Sequence, residues 1–302
     1  MRSRSRRPGV ERALCLALLV LLAGCAAGPQ RHAALAVVAR FEPVRPSPQL
    51  VRPYFANLYG VSLCRHGRHL DEVARYIDWY LDHLNEGERD GRAGTIDDYV
   101  VHHGNRERTT GQYDSADGYA GTFLILLDAY EQASGDAGRL LARLDEIQIV
   151  AELLLSLQDE DGLVRVSPTD GTHYLMDNCE AYGGLVSWAA LERRLGRDAG
   201  PRCLAAAERL RRAIMARLYE PATHRFHWAE SDAAVHASSW DTYYPDALAQ
   251  LFPVLYGVVP AGEELAGSLW REFAARYDPR SGDVRSPSER NIIELTRERV
   301  TQ

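Results

Sequence analysis

Residues 113–121 read Tyr113-Asp114-Ser115-Ala116-Asp117-Gly118-Tyr119-Ala120-Gly121, and two related stretches follow at nearly constant distance. The second is Met176-Asp177-Asn178-Cys179-Glu180-Ala181-Tyr182-Gly183-Gly184, and the third is the shorter Trp240-Asp241-Thr242-Tyr243-Tyr244. The leading aspartates of the three stretches, Asp114, Asp177 and Asp241, stand 63 and 64 residues apart. A period of this length accommodates two helices and a long loop, so the chain is predicted to be a repeat protein.

Each copy stands directly before a segment with few or no charges, which predicts a helix that is buried on nearly all sides. These inner segments are 119–129, 182–191 and 247–259, and 53–60 is expected to be a fourth. Between them, apolar residues recur at helical spacing with charges on the other face, which predicts amphipathic outer helices at 68–85, 140–157 and 203–218. Inner helices therefore alternate with outer ones along the chain.

The connections alternate as well. The turns that follow inner helices are short, whereas the loops that lead back to inner helices are long, at 86–112, 159–175 and 220–239. All the long loops then share one face with the N-termini of the inner helices. We therefore predict an all-α fold, an (α/α) toroid of helical hairpins with short β-strands in its long loops.

This arrangement resembles the six-hairpin glycosidase superfamily. The resemblance covers about residues 53–277 and rests on the repeat junctions, on Gly94-Thr95-Ile96-Asp97-Asp98-Tyr99 and on Tyr243-Tyr244-Pro245-Asp246-Ala247. It implies a cleft that binds sugars at the N-termini of the inner helices. The reaction that it implies is hydrolysis of a glycosidic bond in a polysaccharide or oligosaccharide.

A full barrel needs six inner helices, and only about four are predicted here. The next repeat junction would fall beyond Gln302, and residues 286–302 are polar with charges of both signs. Either the toroid is open, a protein partner completes it, or the chain is a shortened or frame-altered version of a longer one. The predicted organisation is a signal segment 1–25, a tether 26–48, a toroid domain 49–285 and an atypical polar tail 286–302.

The N-terminus has the composition of a secretion signal. Five arginines precede the apolar run 13–21, which is too short to span a bilayer comfortably. The run leads into Leu22-Ala23-Gly24-Cys25, which resembles the lipobox of bacterial lipoproteins. We expect a protein that is anchored in the cell envelope by lipidation of Cys25 and faces the periplasm or the exterior, with the outer membrane favoured by Ala26. A plain signal peptide or an uncleaved anchor is the alternative.

Composition limits the partners. A formal net charge of −7 leaves no basic surface, so nucleic acid is excluded as an expected partner. Beyond the signal segment, Cys64, Cys179 and Cys203 are an odd number and cannot all pair in an oxidising compartment. No cysteine or histidine spacing marks a metal site, and no cofactor is expected.

In a toroid, the acidic and aromatic residues of the repeats converge on one mouth. Aromatic rings stack on the apolar faces of sugars, and two carboxylates can divide the roles of general acid and of base or nucleophile. We expect Asp117 and Asp98 to form that pair, with Glu180 and Asp177 as the next candidates. The expected substrate-binding residues are Asp114, Asp241, Tyr113, Tyr174, Trp240 and Tyr243.

A structural interpretation competes with this one. Asp114 and Asp117, like Asp177 and Glu180, have the spacing of a capping box, which stabilises a helix N-terminus without binding any ligand. The protein would then be a non-catalytic glycan-binding or envelope-assembly lipoprotein. A lyase or sugar epimerase on the same scaffold, with His102, His173 or a tyrosine as base, is a third possibility.

Overall fold

The structure is a computed structural model, and it describes residues 32–43, 47–87, 92–197, 200–277 and 286–301. The signal segment 1–25, with Cys25 and its expected lipidation, lies outside the described residues. Within the described ranges, no helix is both long enough and apolar enough to cross a membrane.

Helices dominate the described chain. They are α1 (Ala33–Val38), α2 (Pro53–Arg65), α3 (Leu70–Asp82), α4 (Ala116–Ser134), α5 (Ala137–Ala142), α6 (Leu144–Ser156), α7 (Leu175–Arg194), α8 (Gly200–Ala213), α9 (Phe252–Leu255), α10 (Glu264–Arg276) and α11 (Pro287–Thr301). A π-helical turn, Ile214–Leu218, extends α8, and another, Tyr243–Ala247, precedes α9. The strands are short: β1 (Gln49–Val51), β2 (Tyr99–Val101), β3 (Glu107–Thr109), β4 (His173–Tyr174), β5 (Tyr219–Glu220), β6 (Arg225–Phe226), β7 (Ala229–Glu230) and β8 (Val235–His236).

The inner layer follows the predicted repeats. Helix α2 packs against α4, α4 against α7, and α7 against α9, while the amphipathic helices α3, α6 and α8 cover the outside. The inner helices are buried almost all round because their sequences carry few charges. The predicted all-α (α/α) toroid, with short strands confined to its long loops, is confirmed.

Residues 287–301 form α11, which packs against both α9 and α2 and so brings the inner layer back to its first helix. Its buried face carries Ile292, Ile293 and Thr296. A helix that is buried on one side needs few apolar residues, which is why the composition of this segment is polar. Similarly, residues 33–38 of the expected tether form α1, which packs on α2 and α3.

Glycines allow the two central inner helices to approach closely. A β-carbon on Gly121 of α4 would lie 2.7 Å from the backbone oxygen of Glu180 in α7. A β-carbon on Gly184 of α7 would lie 2.7 Å from the Cα of Gly121. Only hydrogen fits at this crossing, so these two glycines allow the backbones of α4 and α7 to come into direct contact.

Buried amides attach the long loops to the inner helices. Asn178 of α7 accepts a hydrogen bond from the Val164 backbone N–H (2.8 Å) and donates to the Val164 carbonyl oxygen (2.9 Å). Gln250 makes the same pair of bonds to Phe226, at 2.8 and 3.0 Å. Antiparallel sheets in the order β1-β2-β3 and β4-β7-β8 brace these loops further. The long loops are thereby held over the N-termini of the inner helices.

Candidate active site

A cleft of about 750 Å³ opens where α4 and α7 begin. The first turns of these helices and the long loops supply its lining, which includes Arg92, Tyr113, Asp114, Asp170, Tyr174, Met176, Asp177 and Tyr244. Three tyrosine rings and three carboxylates therefore border one space. Rings for stacking and carboxylates for hydroxyl groups are the side chains that suit a sugar.

Two more carboxyl groups lie next to Asp177 but inside the protein. Asp117 in the first turn of α4 and Glu180 in α7 are fully buried. A β-carbon on Gly118 would lie 3.2 Å from Glu180 Oε2 and 3.5 Å from Asp177 Oδ1. The missing side chain of Gly118 thus leaves room for both carboxyl groups beside Asp117. We call Asp117, Asp177 and Glu180 the carboxyl cluster.

Tyrosines hold one side of the cluster. Tyr54 donates its hydroxyl hydrogen bond to Glu180 Oε1 at 2.7 Å, and Tyr256 donates to the same oxygen at 3.2 Å. Asp117 Oδ1 accepts the Gly118 backbone N–H at 2.8 Å. The other oxygens, Asp117 Oδ2 and Glu180 Oε2, are buried and have no partner among the described residues. A carboxylate anion at either position would lack solvation, so the neutral acid is favoured.

Burial and crowding raise the pKa of every member of the cluster. Burial, followed by the charge of Asp114, raises the pKa of Asp177 to about 7. Burial and then the charge of Asp177 raise the pKa values of Asp117 and Glu180 well above the usual range. Asp177 is therefore the cluster member that both lines the cleft and titrates near neutrality.

Asp98 lies at the edge of this region. It accepts the Tyr119 hydroxyl hydrogen bond at 2.8 Å and faces the Arg52 guanidinium at 3.5 Å. Burial raises the pKa of Asp98, although these two partners oppose that shift. Its neighbour Asp97 is buried and accepts hydrogen bonds from Arg92 (2.5 Å) and Thr109 (2.7 Å), so Asp97 serves the loop structure.

The third repeat does not contribute the residues expected from its sequence. Asp241 is exposed, the Trp240 ring lies 5.8 Å from the Arg276 guanidinium, and Tyr243 donates to Glu289 at 3.2 Å. None of these three belongs to the described lining of the cleft, whereas Tyr244 does. Within this segment the backbone of Tyr244 is extended (φ −126°, ψ 134°), and Tyr244 rather than Tyr243 borders the cleft.

The capping interpretation is not supported at the first two repeats. The N-cap residue of α4 is Ser115 and that of α7 is Tyr174, and neither side chain makes a capping hydrogen bond. Asp114 precedes the cap of α4 and is exposed in the cleft, while Asp177 lies within the first turn of α7. These two aspartates are therefore available to the cleft.

The structure adds residues that sequence reasoning missed. Tyr54, Tyr256 and Arg92 contact members of the site, but no short motif identifies them. Tyr54 stands 60 residues before Asp114, close to the repeat period, and that spacing is the available signal. Two histidines considered as bases lie elsewhere: His102 is exposed, and His173 Nε2 lies 3.1 Å from Asp159 Oδ2.

Comparison with known proteins identifies the fold. No protein-family model matches the chain, and no curated protein matches it. Solved glycosidase structures do match. A rhamnosidase from Klebsiella oxytoca with rhamnose bound has a TM-score of 0.57 and 16% identity, covering 83% of this chain and 48% of that one. This chain therefore spans about half the length of that rhamnosidase.

Two further solved structures are similar. A GH63 mannosylglycerate hydrolase from Thermus thermophilus in complex with glucose has a TM-score of 0.62 and 11% identity, covering 89% of this chain and 86% of that one. A glycosidase variant in complex with glucose has a TM-score of 0.56 and 15% identity, covering 87% and 71%. Identities this low establish architecture and leave function to the site. The chain thus has an (α/α) toroid fold like that of these glycosidase structures.

Proposed function

We propose that the protein is a glycoside hydrolase that acts on a polysaccharide or oligosaccharide in the cleft between Asp114 and Asp177. The observation that carries the proposal is the pairing of an exposed carboxylate, Asp114, with Asp177, whose pKa is raised to about 7. Hydrolysis of a glycosidic bond requires one carboxyl group that donates a proton and a second one that acts as base or nucleophile.

In the proposed reaction, Asp177 donates its proton to the glycosidic oxygen as the bond to the leaving sugar breaks. Asp114 assists attack at the anomeric carbon, either by deprotonating a water molecule or by bonding to the carbon itself. Asp117 and Glu180 do not line the cleft. Burial and the charge of Asp114 are what keep Asp177 protonated. Tyr113, Tyr174 and Tyr244 supply the stacking surfaces.

The test is release of sugar by the purified protein from a panel of bacterial and plant polysaccharides and their oligosaccharides. Activity should fall as pH rises through about 7, because Asp177 loses the proton that it donates. Asp177→Asn should lower the rate by at least about 100-fold. Asp241→Asn makes the same change in the third repeat, outside the cleft, and should leave the rate within about two-fold.

A non-catalytic glycan-binding protein is the second candidate, favoured by the complete burial of Asp117 and Glu180, which keeps both from touching a sugar. Saturable binding of a glycan by wild type and by Asp177→Asn, with no sugar released by the folded protein, would select this candidate. Turnover that depends on Asp177 would reject it.

We also propose that the protein is held in the cell envelope by lipidation of Cys25, with the toroid facing the periplasm or the exterior. Support comes from the sequence alone, in the basic residues, apolar run and Leu22-Ala23-Gly24-Cys25. Metabolic labelling with a fatty-acid analogue should mark the wild-type protein in the membrane fraction. Cys25→Ala should remove the label.

A further inference from the structure

A second cavity lies within the inner layer. It measures about 150 Å³ and lies among α2, α4, α7, α9 and α11. Most of its lining is apolar and includes Leu58, Val61, Ile125, Val186, Leu255 and Leu295. An apolar cavity of this volume in another protein stays dry and takes up benzene, so this one has room for about six carbon atoms.

The cavity lies beside the middle of α4 and α7 and extends to the C-terminal end of α2. Arg65, the last residue of α2, lines it, and about 16 Å of helix separates Arg65 from Tyr54 beside the carboxyl cluster. Arg299 of α11 lines the cavity too. Both arginines and Leu295 also border an open depression of about 550 Å³. The two guanidinium groups therefore stand between an apolar interior and an open surface.

Among the described residues, no carboxylate forms an ion pair with Arg65 or Arg299, although Glu298 also borders the depression. Partial desolvation, followed by the positive charge of Arg65, lowers the pKa of Arg299. Two like charges held close together favour an anion between them.

We propose that this cavity and the two arginines bind a small anionic amphiphile, a carboxylate that carries an apolar group of about pentyl or phenyl size. The apolar group occupies the cavity, and the carboxylate lies between Arg65 and Arg299, whose planar guanidinium groups pair well with carboxylate oxygens. The site is distinct from the sugar cleft. Tyr256 stands between them, because its side chain lines the cavity while its hydroxyl bonds to Glu180.

Titration calorimetry with hexanoate on the purified protein tests the proposal. Hexanoate should bind with one-to-one stoichiometry and at least ten-fold more tightly than acetate, which lacks the apolar group, or hexan-1-ol, which lacks the charge. Arg65→Gln with Arg299→Gln should weaken hexanoate binding at least ten-fold. The matched control is Arg297→Gln. Arg297 is an exposed residue of α11, like Arg299, but it lines neither the cavity nor the depression, so this variant should bind hexanoate as tightly as wild type does.

A larger side chain supplies an independent test of the apolar half. Val186→Phe fills the cavity and should abolish hexanoate binding while the protein still unfolds in one transition. Equal binding of acetate and hexanoate would mean that the arginines form only a surface anion site and would overturn the proposal. Unchanged binding by the double arginine variant would overturn it too. So would absence of hexanoate binding together with sedimentation as a dimer, since a second copy would then cover this site.

Discussion

Asp177 shows how two neighbours change the chemistry of one side chain. Its carboxyl group is desolvated and faces the charge of Asp114, and these effects raise its pKa from 3.8 to about 7. The folded state therefore holds a proton that the unfolded state releases at lower pH. Such a group stabilises the fold fully below the unfolded pKa, and this contribution is lost as pH rises toward the folded pKa.

Asp177→Asn removes this pH dependence. Wild type should lose up to about 4 kcal/mol of unfolding free energy between about pH 4 and pH 7 relative to the variant, because three pKa units are worth about that much. Urea unfolding at pH 4.5 and pH 7.5 measures the difference. Asp241→Asn should have the unfolding free energy of wild type at both pH values. An equal change in unfolding free energy with pH for wild type and Asp177→Asn would contradict the raised pKa of Asp177.

The two tyrosines on Glu180 are predicted to act together. Tyr54→Phe should cost about 1 kcal/mol, and Tyr256→Phe less, since its hydrogen bond is longer by half an ångström. The double variant leaves Glu180 buried without a donor and should cost more than the sum of the two changes. Denaturant unfolding of wild type, the two single variants and the double variant gives the coupling energy between the two tyrosines. If the two losses of unfolding free energy simply add, the tyrosines do not depend on the same acceptor. Tyr182→Phe is the control.

At the scale of elements, the α4–α7 crossing depends on two glycines. Gly121→Ala and Gly184→Ala each place a methyl group 2.7 Å from backbone atoms of the other helix. Backbone cannot step aside as a flexible side chain does, so each change should destabilise the protein by about 3 kcal/mol. Thermal and urea unfolding measure this loss.

Gly138→Ala in α5 is the matched control for those two changes. Its β-carbon would meet nothing closer than 3.8 Å, and alanine favours a helix over glycine by up to about 1 kcal/mol. We expect Gly138→Ala to be neutral or stabilising. Equal losses at all three positions would show that close approach is not the cause.

At the scale of the whole molecule, α11 joins the last inner element to the first. Ile293 is completely buried there, so Ile293→Ala should destabilise the entire domain by about 2–4 kcal/mol. Far-ultraviolet circular dichroism and tryptophan fluorescence should report one shared transition at lower denaturant. Glu294→Ala, exposed on the same helix, should change little. A shift confined to helix content, with the fluorescence transition unchanged, would mean that α11 folds separately.

The sequence alone determined the toroid, its alternating helix layers and the face that carries the site. The spacing of Asp114, Asp177 and Asp241 and the absence of charge in the inner segments are local properties of the chain, and they suffice because burial follows composition.

Tertiary structure alone decided which carboxyl groups reach the cleft. Asp117 and Glu180 belong to the same motifs as Asp114 and Asp177, yet the first pair is buried and the second pair borders the cleft. Exposure and pKa depend on neighbours that are distant in sequence, such as Tyr54 and Tyr256, and these neighbours meet only when the helices pack.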